Sequence, residues 1–323
     1  MQYDGAAFLG RVSFISGPGK NSGKTSFMNR AACLARRAAR AAGLPPPALL
    51  TVGYDGDTRD YLSGARKPSV PVEAGDLFVS AERFLREGGS SPEILDAAPG
   101  RSALGRLCVA RAHRAGRVAL VGPESNAQLD WLLSRIVDEG LSSCALVDGA
   151  VNRITQLAGR ADALLIYSLR IDRAGLDAAL ATIKRMALLR DLPLAAEPGS
   201  GGGALGRAVD GVASEYPVQE PYLLQGALTA ESLALVPDKA TELVVEDFTK
   251  VFLDYSALTA LLRDRSLRVR RRPRFGGYSL ITRGLSDGLV LQRLAGLSIR
   301  GKPIEEYLGH NPYAEDVKKG ALP

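Results

Sequence analysis

The sequence predicts an α/β fold: a doubly wound, mostly parallel sheet with a small α+β extension at its C-terminal end. Three observations lead there. A Gly-rich turn, residues 17–25, stands between an apolar strand from Val12 to Ile15 and a helical stretch from Ser26 to Ala42. Apolar segments then alternate with helical patterns through the first two thirds of the chain, an order that calls for crossover connections and helices on both faces of the sheet. Finally, 323 residues with 46% hydrophobic and 24% charged content suffice for a full core.

The elements follow in order. The first helix carries Phe27, Ala31, Leu34 and Ala38 on one face. Gly43-Leu44-Pro45-Pro46-Pro47 ends it, and Ala48 to Val52 is the next buried strand. Val70 to Val72 and Leu77 to Val79 are short extended pieces around a turn at residues 73–76. Strands are expected at Arg106 to Ala110, Val118 to Val121, Cys144 to Val147 and Ala163 to Tyr167, with helices over Ser125 to Glu139 and Arg173 to Arg190. Residues 197–206, rich in Gly, read as a flexible connection. Beyond them Thr241 to Glu246, Tyr255 to Arg263, Leu267 to Arg270 and Tyr278 to Thr282 suggest the smaller α+β segment. The expected division is a core over 1–196, a continuation over 197–300 and a poorly ordered tail over 301–323.

Bulk properties exclude several classes. No apolar run is long enough to span a bilayer. The N-terminal stretch, with Asp4, lacks the basic head and apolar core of a secretory signal, so a cytoplasmic location is expected. Cys33, Cys108 and Cys144 are widely spaced and odd in number, so packed, reduced thiols are expected rather than a disulfide framework. With only His113 and His310 and no Cys-x-x-Cys, a structural zinc site is not indicated. His113-Arg114-Ala115-Gly116 matches half of a cobalamin-ligating motif, but Arg111 stands where the orienting Asp is needed, so a cobalt ligand is rejected.

The formal charge of +6 is unevenly spread, with seven arginines between Arg263 and Arg274. The main reading is a solvated helix end and edge strand with Leu267 and Val269 alternating inward; an acidic protein partner is the next, and nucleic acid the least favoured. Phe275 is its sole aromatic neighbour, which leaves no stacking platform for bases.

The chemistry centres on the Gly-rich turn. Gly19, Lys20, Asn21, Ser22, Gly23, Lys24, Thr25 and Ser26 are the candidate nucleotide-binding residues, because inward backbone N–H groups and a helix N-terminus form a cradle for polyphosphate. Lys24 reaches the outer phosphates and Thr25 offers its hydroxyl to Mg²⁺. Pro18 occupies the place of the first Gly in the usual spacing, flanked by Gly17 and Gly19. The apolar run Ala145-Leu146-Val147 ends in Asp148, the second candidate Mg²⁺ residue. Asn152 and Arg153 are candidate nucleotide contacts or sensors. Asp55 and Asp57 follow the second strand, where one of them is a candidate to position the attacking water or to bind Mg²⁺, Asp55 being taken as the catalytic candidate, and a plain Asp-Gly turn is the alternative. Glu124 is a candidate base at another strand end, beside Ser125 as a helix cap. The cofactors expected are ATP and Mg²⁺.

Several stretches together resemble the P-loop subunit of the lysine 5,6-aminomutase reactivase, whose relatives also accompany ornithine aminomutase. They are residues 19–25, Gly53-Tyr54-Asp55-Gly56-Asp57, Val147-Asp148-Gly149-Ala150-Val151-Asn152-Arg153, Gln225-Gly226-Ala227-Leu228-Thr229 and residues 246–253. The resemblance covers roughly residues 11–285; the Asp-Gly-Ala-x-Asn-Arg and Gly-Ala-Leu-Thr pieces are its most discriminating parts. It implies an ATPase of P-loop NTPase type that expels damaged cobalamin from an adenosylcobalamin-dependent aminomutase, acting with a second reactivase subunit. By position it gives Lys24 and Thr25 the nucleotide and metal roles and Asp148 the Mg²⁺ role. Ile281-Thr282-Arg283-Gly284 departs from the Thr-Val-Asn-Pro expected after the last strand. The rival readings are a small-molecule ligase or kinase of the dethiobiotin-synthetase type and a nucleic-acid-associated ATPase.

Overall fold

A computed structural model describes residues 4–19, 22–52, 70–86, 89–149, 160, 163–196, 221–283, 285–295, 298–299 and 301–303. The strands of its largest sheet are β1 (Val12–Ser16), β2 (Ala48–Thr51), β4 (Leu77–Ala81), β5 (Pro92–Ala97), β6 (Leu107–Ala112), β8 (Ala145–Asp148), β9 (Ala163–Asp172) and β13 (Arg274–Arg283). β3 (Val70–Val72) and β7 (Gly116–Val118) form a separate antiparallel pair. The helices on the sheet are α1 (Lys24–Ala41), α2 (Asn126–Leu133, continued by a π turn over Ser134–Asp138) and α3 (Leu176–Arg190).

The eight strands are ordered β13-β9-β1-β8-β2-β4-β6-β5. Every neighbouring pair from β13 to β4 is parallel, while β6 runs antiparallel to both β4 and β5. The reversal has a local cause. Only residues 98–106 lead from β5 into β6, enough for a hairpin but too few for the crossover that a parallel neighbour needs.

Side chains alternate across β1. Val12 and Phe14 join one core cluster with Leu129 and Leu132 of α2 and Ile183 of α3. Ile15 joins the other, beneath Phe27, Met28, Ala31 and Ala35 of α1. The central strands are therefore buried on both faces, which is why they read as unbroken apolar runs. The alanines of α1 let it lie close to its neighbours; a Cβ on Gly5, in the turn packed on it, would stand 2.1 Å from Leu34 O.

Beyond residue 220, β10 (Tyr222–Leu223), β11 (Glu242–Val245) and β12 (Ser266–Val269) form a small parallel sheet. α4 (Ala230–Ala234) connects the first two strands and α5 (Tyr255–Asp264) the last two. α6 (Asp287–Leu294) follows β13. β13 returns to the main sheet beside β9, so chain from beyond residue 196 forms part of that sheet.

Several expectations need correcting. The strand expected over 118–121 is instead β7, ending at Val118 and paired with β3. β5 was not foreseen, since Glu93 and Asp96 interrupt an edge strand that is only half-buried. β9 and β13 run farther than their apolar patterns, because each supplies the other's ladder partners through Asp172 and Arg283. The flexible connection expected over 197–206, and all of the expected tail but 301–303, lie outside the described residues. Among the described residues no helix is long and apolar enough to cross a membrane.

The C-terminal arginines are largely engaged within the chain. Arg268 pairs with Glu242 at 3.2 Å, Arg270 and Arg271 with Glu246 at 3.5 and 3.4 Å, and Arg272 donates to Leu192 O at 2.5 Å. Leu267 and Val269 are buried, in the alternation expected of an edge strand.

Candidate functional site

β1 lies between β8 and β9, and all three strands point their carboxyl ends the same way. Ile15 and Thr51 both stand level with Asp148, so the end of β8 is held from two sides. Thr51 Oγ1 also donates to Asp148 O at 2.9 Å, and Gly149 N–H donates to Ile15 O at 3.1 Å. In this setting the turn after β1 and the Asp at the end of β8 meet at one edge of the sheet, where open α/β sheets place their ligands.

Close approach dictates the glycines of the turn. A Cβ on Gly17 would stand 2.4 Å from Ser168 O and 2.5 Å from Ser22 Oγ. Gly23 has φ +90°, and a Cβ there would stand 2.0 Å from Ile281 Cδ1. Between them Pro18 and Gly19 are exposed, so the proline at the unusual position faces outward. Ser168 Oγ donates to Ser22 O at 2.8 Å and ties the turn to β9.

Lys24 is 7% exposed, and its ammonium is folded back over the turn. Nζ donates to Gly19 O at 2.6 Å and to Ser22 Oγ at 3.2 Å. One residue on, Thr25 Oγ1 donates to Asp148 Oδ2 at 2.7 Å. Residues 123 positions apart are thus joined through the two groups that the sequence singles out for Mg²⁺. A hydroxyl and a carboxylate are hard oxygen donors, and they suit Mg²⁺ held mainly by water and substrate phosphate. The N-terminal end of α1 adds the helix dipole and its first N–H groups at the same place.

Gly19, Ser22, Gly23, Lys24 and Thr25 are therefore brought together with Asp148. Ser26 is exposed on the first turn of α1. Lys20, Asn21, Asp55, Asp57, Asn152 and Arg153 lie outside the described residues. Glu124 is not brought to this cluster. Its Oε1 accepts from Ala103 N–H at 2.9 Å, in the turn before β6, and Ser125 Oγ caps α2 through Gln128 N–H. β6 stands four places from β1, about 19 Å at ~4.8 Å per strand.

Sequence reasoning missed Ser168, Thr51 and Ile281. The first two are hydroxyls inside buried apolar strands, and such residues signal an inward hydrogen bond without naming its partner. No family model matches the chain, and neither a curated protein nor a solved structure matches it.

Proposed function

We propose that this chain is a P-loop nucleoside triphosphatase that takes ATP with Mg²⁺. The observation that carries the reading is the 2.7 Å bond from Thr25 to Asp148, formed beside the Lys24 ammonium, across two adjacent parallel strands. Lys24 exchanges Gly19 O for phosphate oxygens and stabilises the negative charge that grows there. Thr25 and Asp148 would hold Mg²⁺. When bound, the metal would supply charge neutralisation of the polyphosphate, which the turn's N–H groups orient.

The work done with the nucleotide is proposed from the resemblance: a conformational change passed to an adenosylcobalamin-dependent aminomutase, with a second reactivase subunit, that releases damaged cofactor. Basal hydrolysis is then weak and rises on addition of the mutase.

Hydrolysis and nucleotide affinity in Lys24→Ala, Thr25→Ala and Asp148→Asn test the site. Loss of the Lys24 contact is worth about 3 kcal/mol or more of transition-state stabilisation, roughly a hundredfold in rate. Asp148→Asn weakens nucleotide binding in Mg²⁺ and leaves it nearly unchanged in EDTA. Normal Mg²⁺-dependent turnover in a well-folded Lys24→Ala protein refutes the assignment. Stimulation by duplex DNA, or turnover that depends on a small carboxylate or amine, points to one of the rival readings instead.

A further inference from the structure

At the carboxyl end of β4 the chain enters a short 3-10 turn, Glu82–Phe84, and facing it a tight hairpin over residues 101–106 leads into β6. The two walls are fastened together. Glu82 N–H donates to Arg106 O at 3.0 Å, and Ala81 pairs with Leu107 in the ladder. Reciprocal bonds of 3.0 Å between Ser102 and Gly105 close the hairpin, and Glu124 steadies its tip through Ala103. Phe84 and Leu104 are buried in the adjoining core.

A cleft of about 780 Å³ opens between these walls, a size typical of small-molecule sites. Four arginines line it, Arg83, Arg86, Arg101 and Arg106, against one acidic residue, Glu82. Arg86 and Arg101 make no hydrogen bond or ion pair among the described residues. Asp96, whose carboxyl is held below the usual range first by the Ala97 N–H and then by Arg135, with Arg106 adding the least, is already bonded by Arg135 at 2.7 Å. Arg83 lies over the Phe84 ring at 4.7 Å, which limits its freedom before any ligand arrives. Arg86 and Arg101 differ in this from Arg268, Arg270, Arg271 and Arg272, whose side chains already meet carboxylates or carbonyls of the chain itself.

We infer that this cleft is a second anion site, built for a small molecule carrying phosphate groups with two or more negative charges. Planar guanidinium forks on two fastened walls match tetrahedral phosphate oxygens, and their excess over Glu82 compensates a multiply charged ligand. The site is separate from the turn after β1. β4 stands three places from β1, about 14 Å at ~4.8 Å per strand. The inference therefore does not rest on the nucleotide reading.

Calorimetric titration of the full chain with inorganic tripolyphosphate, without Mg²⁺ and at low salt, tests it. Four proteins are compared: wild type, Lys24→Ala, Arg101→Gln/Arg106→Gln, and the combination, each checked for normal melting. The expected stoichiometries are two, one, one and none, with affinity at the cleft falling at least tenfold in the arginine variant. A single wild-type site that Lys24→Ala spares and the arginine variant loses upholds the cleft and sinks the nucleotide reading. Wild-type stoichiometry and affinity retained in the arginine variant overturn the inference. So does binding of a hexaglutamate peptide or a DNA oligomer through these arginines when tripolyphosphate does not bind them.

Discussion

Replacing Gly23 by Ala tests the packing of the phosphate-loop candidate directly. Two costs are legible in the structure. The backbone at Gly23 has φ +90°, a left-handed conformation that costs an L-residue about 1–2 kcal/mol. The new methyl would also stand 2.0 Å from Ile281 Cδ1 and 3.3 Å from Ser168 Oγ, an overpacking worth ~1–3 kcal/mol. Together Gly23→Ala costs about 2–5 kcal/mol, measured as the shift in urea unfolding at constant slope. The two parts separate in a double-mutant cycle. Ile281→Val removes the atom nearest to the new methyl, itself costing ~0.5–1.5 kcal/mol. In the Ile281→Val background the Gly23→Ala penalty falls toward the backbone part alone. A penalty of under about 0.5 kcal/mol in the wild-type background, small even for the φ term, refutes the described turn and its contact with β13.

Three more outcomes follow. Asp76 is fully buried and gripped by Arg36, with Nε–Oδ distances of 3.0 and 2.9 Å; Asp76→Ala leaves that guanidinium only its longer contacts to Glu73 and Pro71 O and costs ~3 kcal/mol in denaturant unfolding, whereas a neutral effect refutes the pairing. Burial pushes the Asp247 carboxyl above its ordinary value, against the pull of its hydrogen bonds from Thr249. A raised folded pKa means that the native state binds more protons, so this group's contribution declines as pH rises from the ordinary Asp value through the raised one. Melting of wild type against Asp247→Asn across that window therefore shows the variant gaining relative stability toward neutral pH, and a constant difference refutes the assignment. Burial also pushes the Cys144 thiol up to about 12 and raises Cys108, while Cys33 is partly exposed. An aromatic disulfide reagent at neutral pH then labels Cys33 in the native protein and all three thiols in denaturant; rapid native labelling of Cys144 contradicts its burial.

The local pattern of residues determined much of the central sheet and of the candidate site. Strand, glycine turn and helix around residues 12–41 are encoded within one short stretch, as is an apolar run that ends in Asp148, because propensity and periodicity act between near neighbours. Their meeting was not encoded locally. Thr25 and Asp148 come together because β1 and β8 pair in parallel with Ile15 level with Asp148, a register set by packing on both faces of the sheet. Tertiary structure likewise decided against Glu124. A carboxylate at a strand end looks equally suited to catalysis wherever the strand lies, and the order of strands puts this one beside Ala103. The arginines reversed their apparent importance for the same reason. The dense run from Arg263 to Arg274 is conspicuous in the sequence, yet its members largely find Glu242, Glu246 and backbone carbonyls within the fold. Arg83, Arg86, Arg101 and Arg106 are scattered along the chain and converge on one cleft, because β4 and β6 pair edge to edge and bring their flanking turns face to face.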